Sequence, residues 1–115
     1  MSALPECETL KLEQDGGILH ITLNRPDSRN AMSLAMVHEL RAVFSAIREE
    51  TEPRAVILRG TGGHFCAGGD VKDMASARSQ KVENGEDPIF ELNRAFGRLL
   101  TEVESAPQTT VAVLE

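Results

Sequence analysis

A short apolar segment that runs directly into glycines constrains the fold of this chain most. Residues 55–59 (AVILR) are almost continuously apolar, and five of the nine glycines fall within residues 60–70. An uninterrupted apolar run of this length is typical of a strand covered on both faces of a parallel sheet. Residues 109–114 (TTVAVL) predict a second buried strand. Helical periodicity separates the two segments, so we expect parallel pairing through a right-handed crossover.

The remaining segments complete an α/β pattern. Residues 8–14 and 17–24 alternate between apolar and polar around Asp15-Gly16, which predicts a hairpin. Ser33 is a suitable N-cap for a helix that ends before Pro53. The apolar face expected for this helix comprises Leu34, Val37, Leu40, Phe44 and Ile47.

A second helix is expected after Asp87-Pro88, because a capping residue followed by proline favours a helix start. This helix should end near Ser105, before Pro107. The face expected to recur at helical spacing comprises Ile89, Asn93, Phe96, Leu100 and Val103. Residues 78–87 are polar and unpatterned, which predicts a mobile loop.

Composition excludes several classes of function. The chain has 115 residues, a length that favours one domain, and its net charge of -6 argues against a nucleic-acid partner. No apolar run is long enough to cross a bilayer, so no membrane partner is expected. Cys7 and Cys66 form no CxxC pair, which indicates neither a disulfide framework nor a metal site. A reducing cytoplasm is the expected location.

The segment Gly60–Asp70 is the first candidate for a ligand site, because ligands of open parallel sheets bind beyond the carboxyl ends of the strands. Main-chain amides in such a turn can donate to a phosphate or to a developing oxyanion. The segment is neither a complete GxGxxG motif, since Phe65 takes the third glycine position, nor a P-loop. A long surface turn, with Asp70 as a helix N-cap, is the alternative without function.

Two motifs resemble one known family. Asn24-Arg25-Pro26, followed after three residues by Asn30-Ala31, and later Phe65 to Met74 (FCAGGDVKDM), are similar to the enoyl-CoA hydratase/isomerase, or crotonase, family. The resemblance covers essentially the whole chain and implies a crotonase-like spiral of ββα units, incomplete here. We therefore expect residues 1–115 to be the N-terminal part of such a domain, truncated after Glu115.

The resemblance also implies a site that binds an acyl-CoA thioester and stabilises its enolate through two main-chain amides. The first amide would be that of Gly69, as the catalytic oxyanion donor. The second donor and the catalytic acid or base would lie beyond Glu115. A chain with only half of the oxyanion hole is expected to be nearly inactive. Arg29 and Lys72 would meet coenzyme A phosphates, and the backbone around Ala67 would meet the adenine. The full set of implied coenzyme A contacts is Arg29, Ala67, Gly68, Gly69, Asp70, Val71 and Lys72.

The implied activity is hydration of a 2-enoyl-CoA, and the run from Asn30 to Met36 (NAMSLAM) looks similar to hydratases of branched isoprenoid acyl-CoA breakdown. The alternatives are an enoyl-CoA isomerase, another crotonase-type reaction, or a non-catalytic assembly subunit that binds coenzyme A. The resemblance implies no cofactor beyond the coenzyme A moiety of the substrate. It implies assembly as a homotrimer or a dimer of trimers.

Overall fold

A computed structural model describes residues 4–68 and 88–114, with side chains in the second range from Asn93 onward. The described residues form one four-stranded sheet in the order β1-β2-β3-β4, with two helices. In chain order the elements are β1 Leu10–Asp15, β2 Ile18–Leu23, a 3-10 turn Pro26–Ser28, α1 Leu34–Ile47, β3 Ala55–Gly60, α2 Pro88–Glu104 and β4 Thr109–Ala112. The pair β1/β2 is antiparallel, whereas β2/β3 and β3/β4 are parallel. The predicted parallel pairing is confirmed.

The predicted hairpin is present, with its turn one residue later than expected. Asp15 still pairs with Ile18, so the loop consists of Gly16 and Gly17. Gly16 has a positive φ of 59°. A glycine at the first of two loop residues suits the hairpin turns that match the twist of the strands.

The core lies between one face of the sheet and the two helices. Leu19, Ile21 and Leu23 from β2 are at most 1% exposed, as the alternation of that strand predicts. Ser33 caps α1 by accepting a hydrogen bond from the main-chain N–H of Met36. The buried side chains of α1 are Met36, Val37, Leu40, Val43, Phe44 and Ile47. The prediction for this helix was wrong at Leu34, which lies one residue past the cap and is exposed.

The two C-terminal strands are less buried than the sequence predicts. Within β3 only Val56 is buried, and in β4 Val111 is 50% exposed. The prediction of strands covered on both sides was wrong because, in the described residues, both helices contribute to a core on the same face of the sheet. Ile18, Ile57 and Val111 lie on the other face and remain partly exposed. Apolar, β-branched composition indicates a strand but does not say what covers it.

The predicted face of α2 is confirmed at Val103, which packs against the core, but is displaced by one residue earlier in the helix. Ala95 and Leu99 are buried, whereas Phe96 and Leu100 are 39% and 55% exposed. Both stripes recur at helical spacing, so the spacing alone does not distinguish them. An ion pair between Arg41 and Glu102 then crosses from α1 to α2. Neither helix among the described residues is long and apolar enough to cross a membrane.

Glu39 connects α1 by hydrogen bonds to the segment that precedes β1. Its carboxylate accepts hydrogen bonds from the main-chain N–H groups of Glu8 and Thr9, each at 2.8 Å, and from the Thr9 hydroxyl. Burial by itself would raise the pKa of Glu39, but these three hydrogen bonds outweigh it and lower the pKa below its ordinary value. The charged form of Glu39 therefore stabilises the folded state.

The lowered pKa predicts acid sensitivity. In the unfolded chain a glutamate titrates near about 4.3, so the contribution of Glu39 is complete above that pH and is lost as the pH falls through the folded pKa. The difference in free energy of unfolding between the wild type and Glu39→Gln should be largest near neutral pH and should shrink towards about pH 3. Urea unfolding followed by circular dichroism measures this difference. Glu13→Gln, which removes the same charge from an exposed position on β1, controls for net charge. A difference that grows in acid would contradict the prediction.

Candidate functional site

Two loops meet at the carboxyl ends of β2 and β3. The first loop, residues 24–32, leaves β2, and the second, residues 61–68, leaves β3. Because the two strands are parallel neighbours in which Leu23 pairs with Gly60, both loops start at the same edge of the sheet. This edge is where ligands of parallel sheets bind, as the sequence predicted.

The first loop is folded tightly on itself. Pro26 opens the 3-10 turn, and the next residues, Arg29 and Asn30, both adopt left-handed backbone with φ of 53° and 58°. Asn30 donates its main-chain N–H to the Arg25 carbonyl at 2.8 Å, and its side-chain Oδ1 accepts from the Arg25 N–H at 2.7 Å. The Arg25 guanidinium donates to the Ala31 carbonyl at 2.6 Å. These bonds close the loop and turn the side chain of Arg29 outward, where it is exposed.

The second loop is a glycine-rich turn whose first residue is hydrogen-bonded to the neighbouring strand β2. The Thr61 N–H donates to the Leu23 carbonyl at 3.0 Å, so the turn starts as an extension of the sheet. Gly62 and Gly63 follow with φ of 73° and 78°, a conformation that favours glycine. A Cβ on Gly62 would lie 3.2 Å from the Cβ of Pro26, so the turn passes close to the first loop.

Hydrogen bonds join the two loops into one unit. The Asn30 amide nitrogen donates to the carbonyls of Thr61 and His64 at 2.9 and 2.7 Å. Farther along, the Ala67 N–H donates to the Arg29 carbonyl at 3.1 Å, and the Met32 N–H donates to the Gly68 carbonyl at 2.6 Å. The two motifs, more than thirty residues apart in sequence, are therefore a single structural feature.

The structure describes three of the residues predicted to contact coenzyme A. Arg29, Ala67 and Gly68 lie together at this edge, and all three are exposed. The N–H of Ala67 is already bonded to Arg29, so a ligand would have to use the Ala67 carbonyl. The other predicted residues, Gly69, Asp70, Val71 and Lys72, lie outside the described residues, as does the predicted mobile loop 78–87. The oxyanion role of Gly69 stays a prediction.

Sequence reasoning gave Asn30 no role of its own, although the structure makes it the central side chain of the site. It is completely buried, and its carboxamide joins both loops. The available signal was its place in the first motif: asparagine tolerates left-handed backbone and carries both a donor and an acceptor. Cys66, for which the sequence indicated no metal site, directs its thiol to the Gly68 carbonyl at 3.8 Å. In residues 4–68 and 88–114 no three His, Cys, Asp or Glu side chains form a metal-binding group.

Comparison with known proteins decides the family. The family model described as enoyl-CoA hydratase/isomerase matches residues 13–115. The chain belongs to the enoyl-CoA hydratase/isomerase family. The resemblance drawn from the two motifs is thereby confirmed.

Solved structures confirm the crotonase-like α/β fold for this portion. Pseudomonas aeruginosa AtuE is 60% identical, with a TM-score of 0.87, over 94% of this chain and 40% of that one. An enoyl-CoA hydratase/isomerase from Marinobacter aquaeolei is 56% identical, with a TM-score of 0.89, over 95% of this chain and 42% of that one. The Mus musculus mitochondrial Delta(3,5)-Delta(2,4)-dienoyl-CoA isomerase is 34% identical over 103 residues, 84% of this chain and 31% of that protein. The chain thus spans less than half the length of each of these three relatives.

The close approach of the two loops predicts that Gly60 tolerates no side chain. A Cβ there would lie 2.2 Å from the His64 carbonyl oxygen, 2.6 Å from that of Phe65 and 2.8 Å from the Asn30 amide nitrogen. Gly60→Ala should lower the free energy of unfolding by about 3 kcal/mol, because backbone must move to admit the methyl group. Urea unfolding measures the loss.

Gly97→Ala is the matched control for this substitution. A Cβ at Gly97, in the exposed part of α2, would meet no atom within 4 Å. Alanine should stabilise the helix there by about 0.5–1 kcal/mol. Equal effects of the two substitutions would show that the two loops are not packed as described.

Proposed function

We propose that this chain contributes the coenzyme A site and one oxyanion donor of an enoyl-CoA hydratase, acting on a branched isoprenoid acyl-CoA. Family membership supports the class of substrate, and the run Asn30 to Met36 supports the branched acyl group by its resemblance to such hydratases. The observation that carries the proposal is the joining of the two family motifs at the carboxyl edge of the sheet, with Arg29 exposed beside Ala67.

Coenzyme A suits this edge for physical reasons. A guanidinium is always charged and presents a rigid fork of donors to phosphate, and the Arg29 side chain is exposed where the loops meet. The residues on either side of Arg29 are fixed by hydrogen bonds, so its main chain loses little freedom when a ligand binds. The carbonyl of Ala67 is a candidate acceptor for an adenine amino group. Lys72 is the second proposed phosphate contact.

The proposed chemistry is electrostatic. As water adds to the enoyl thioester, negative charge develops on the thioester oxygen, and main-chain amides aimed at that oxygen lower the barrier. The Gly69 N–H is the proposed donor, because the family resemblance implies that the first amide belongs to the residue before the motif aspartate, here Asp70. Loss of one such donor typically costs about 2.7–4 kcal/mol of transition-state stabilisation.

Two alternative functions are supported by specific observations. Isomerisation of the double bond is favoured by relatives from Mus musculus and Rattus norvegicus that are named dienoyl-CoA isomerases. A non-catalytic coenzyme A-binding subunit would need only the coenzyme A contacts, of which Arg29, Ala67 and Gly68 lie together at the carboxyl edge of the sheet. Addition of water to crotonyl-CoA by the whole protein, followed as loss of absorbance of the conjugated thioester, separates hydratase from the other two. Assembly as trimers in the cytoplasm remains part of the proposal.

The proposal predicts that acyl-CoA affinity depends on Arg29. Arg29→Ala should weaken crotonyl-CoA binding by about tenfold at low salt, because one charge-assisted contact to phosphate is lost. The loss should shrink as salt increases, since exposed charges are screened. Isothermal titration calorimetry on the whole chain measures the dissociation constant.

Arg54→Ala is the matched control, because Arg54 is also an exposed arginine and lies just before β3, at the opposite end of that strand from the two loops. It should change the dissociation constant by less than about twofold. Similar weakening by both variants would indicate a general charge effect and contradict the role of Arg29. A wild-type chain that shows no saturable binding of crotonyl-CoA would overturn the proposed function itself.

A further inference from the structure

We infer that Asn30 is the positioning residue of the site: its carboxamide sets the course of the glycine turn and so presents the Ala67–Gly68 backbone to acyl-CoA. The inference rests on the proposed function and adds to it the group on which the shape of the binding edge depends. Asn30 itself is completely buried and so cannot be a ligand contact. Its effect on binding must pass through the backbone that it holds.

The carboxamide uses both of its ends, one for each loop. Oδ1 accepts from the Arg25 N–H at 2.7 Å, which fixes the first loop. Nδ2 donates to the carbonyls of Thr61 and His64 at 2.9 and 2.7 Å, which spans the glycine turn. Both amide hydrogens are therefore used within the turn, and the turn is folded around this one nitrogen.

Local geometry leaves this nitrogen no substitute. Gly60 has room for no Cβ, because such an atom would lie 2.8 Å from Nδ2, so a side chain at that position could not supply the donor instead. The carbonyls of Thr61 and His64 accept from the same nitrogen, so both would lose this donor together. An acceptor that is partly buried and has lost its donor is costly, so the turn would move to bring these carbonyls into contact with water.

The consequence reaches the proposed ligand contacts along the chain. Three residues beyond His64, the Ala67 N–H bonds to the Arg29 carbonyl, and Arg29 directly precedes Asn30. If the turn is released from Nδ2, the hydrogen bond between the Ala67 N–H and the Arg29 carbonyl is weakened as well. Arg29 is the proposed phosphate contact and Ala67 the proposed adenine contact, so both would lose their fixed positions. Asn30 acts on affinity by holding these two contacts at a fixed separation.

Asn30→Asp is the sharpest variant, because aspartate has the same shape and also tolerates left-handed backbone. It keeps the acceptor for the Arg25 N–H but replaces the donor with an oxygen that faces two carbonyls. Crotonyl-CoA affinity, measured by calorimetry near neutral pH, should fall about tenfold or more. Affinity should partly recover in mild acid, where a protonated carboxyl regains one donor, while the wild-type affinity should not rise in the same way.

A destabilised control separates positioning from general loss of stability. Val43→Ala removes methyl groups from a fully buried position on α1 and leaves the loops intact. With both variants measured under conditions where they are folded, Val43→Ala should keep its crotonyl-CoA affinity within about twofold of the wild type. Equal affinities of Asn30→Asp and the wild type would overturn the inference.

Hydrogen exchange provides a test that needs no ligand. In the free chain, Asn30→Asp should speed exchange of the amides of residues 61–67, while exchange in α1 should change much less; Val43→Ala should do the reverse. Unchanged exchange of residues 61–67 in Asn30→Asp would overturn the inference even if crotonyl-CoA does not bind the wild type. Failure of the wild type to bind crotonyl-CoA, with the exchange result as expected, would instead remove the proposed function and leave Asn30 as the residue that shapes the turn.

Discussion

The site depends on one buried side-chain amide. Asn30 donates two hydrogen bonds to the turn after β3 and accepts one from the loop after β2, and no part of it is exposed. The parallel pairing of β2 with β3 brings the two loops to one edge, and the amide then fixes their relative path. Without a donor at this position, the glycines of the turn would have many conformations open to them.

In this arrangement, some residues of the site give the loops their shape and others are left to bind a ligand. Glycines give the turn its shape, since Gly60 admits the amide and Gly62 lets the turn pass Pro26. The exposed groups, Arg29 and the backbone of Ala67 and Gly68, are left to meet a ligand. Binding groups that are held by buried neighbours lose little conformational entropy on association. The buried groups therefore set the path of the glycine-rich edge, and the exposed groups are available to a ligand.

Much of the fold could be predicted from sequence, because local patterns determine it. The hairpin, the Ser33 cap and the buried face of β2 follow from alternation, turn residues and capping. The buried faces of β3, β4 and α2 could not be predicted, since Phe96 and Leu100 have the same spacing and similar polarity to residues that are buried. Burial depends on what packs against an element, and that information is not local.

The exposed strand β4 bears on how the chain behaves in solution. Within the described residues, no strand pairs with the outer side of β4, and Val111 and Leu114 are 50% and 73% exposed. A free, apolar strand edge is a template on which another chain can add a strand. A further strand, whether of this polypeptide or of another, would extend the sheet at β4, and a charged side chain at position 111 would oppose that addition.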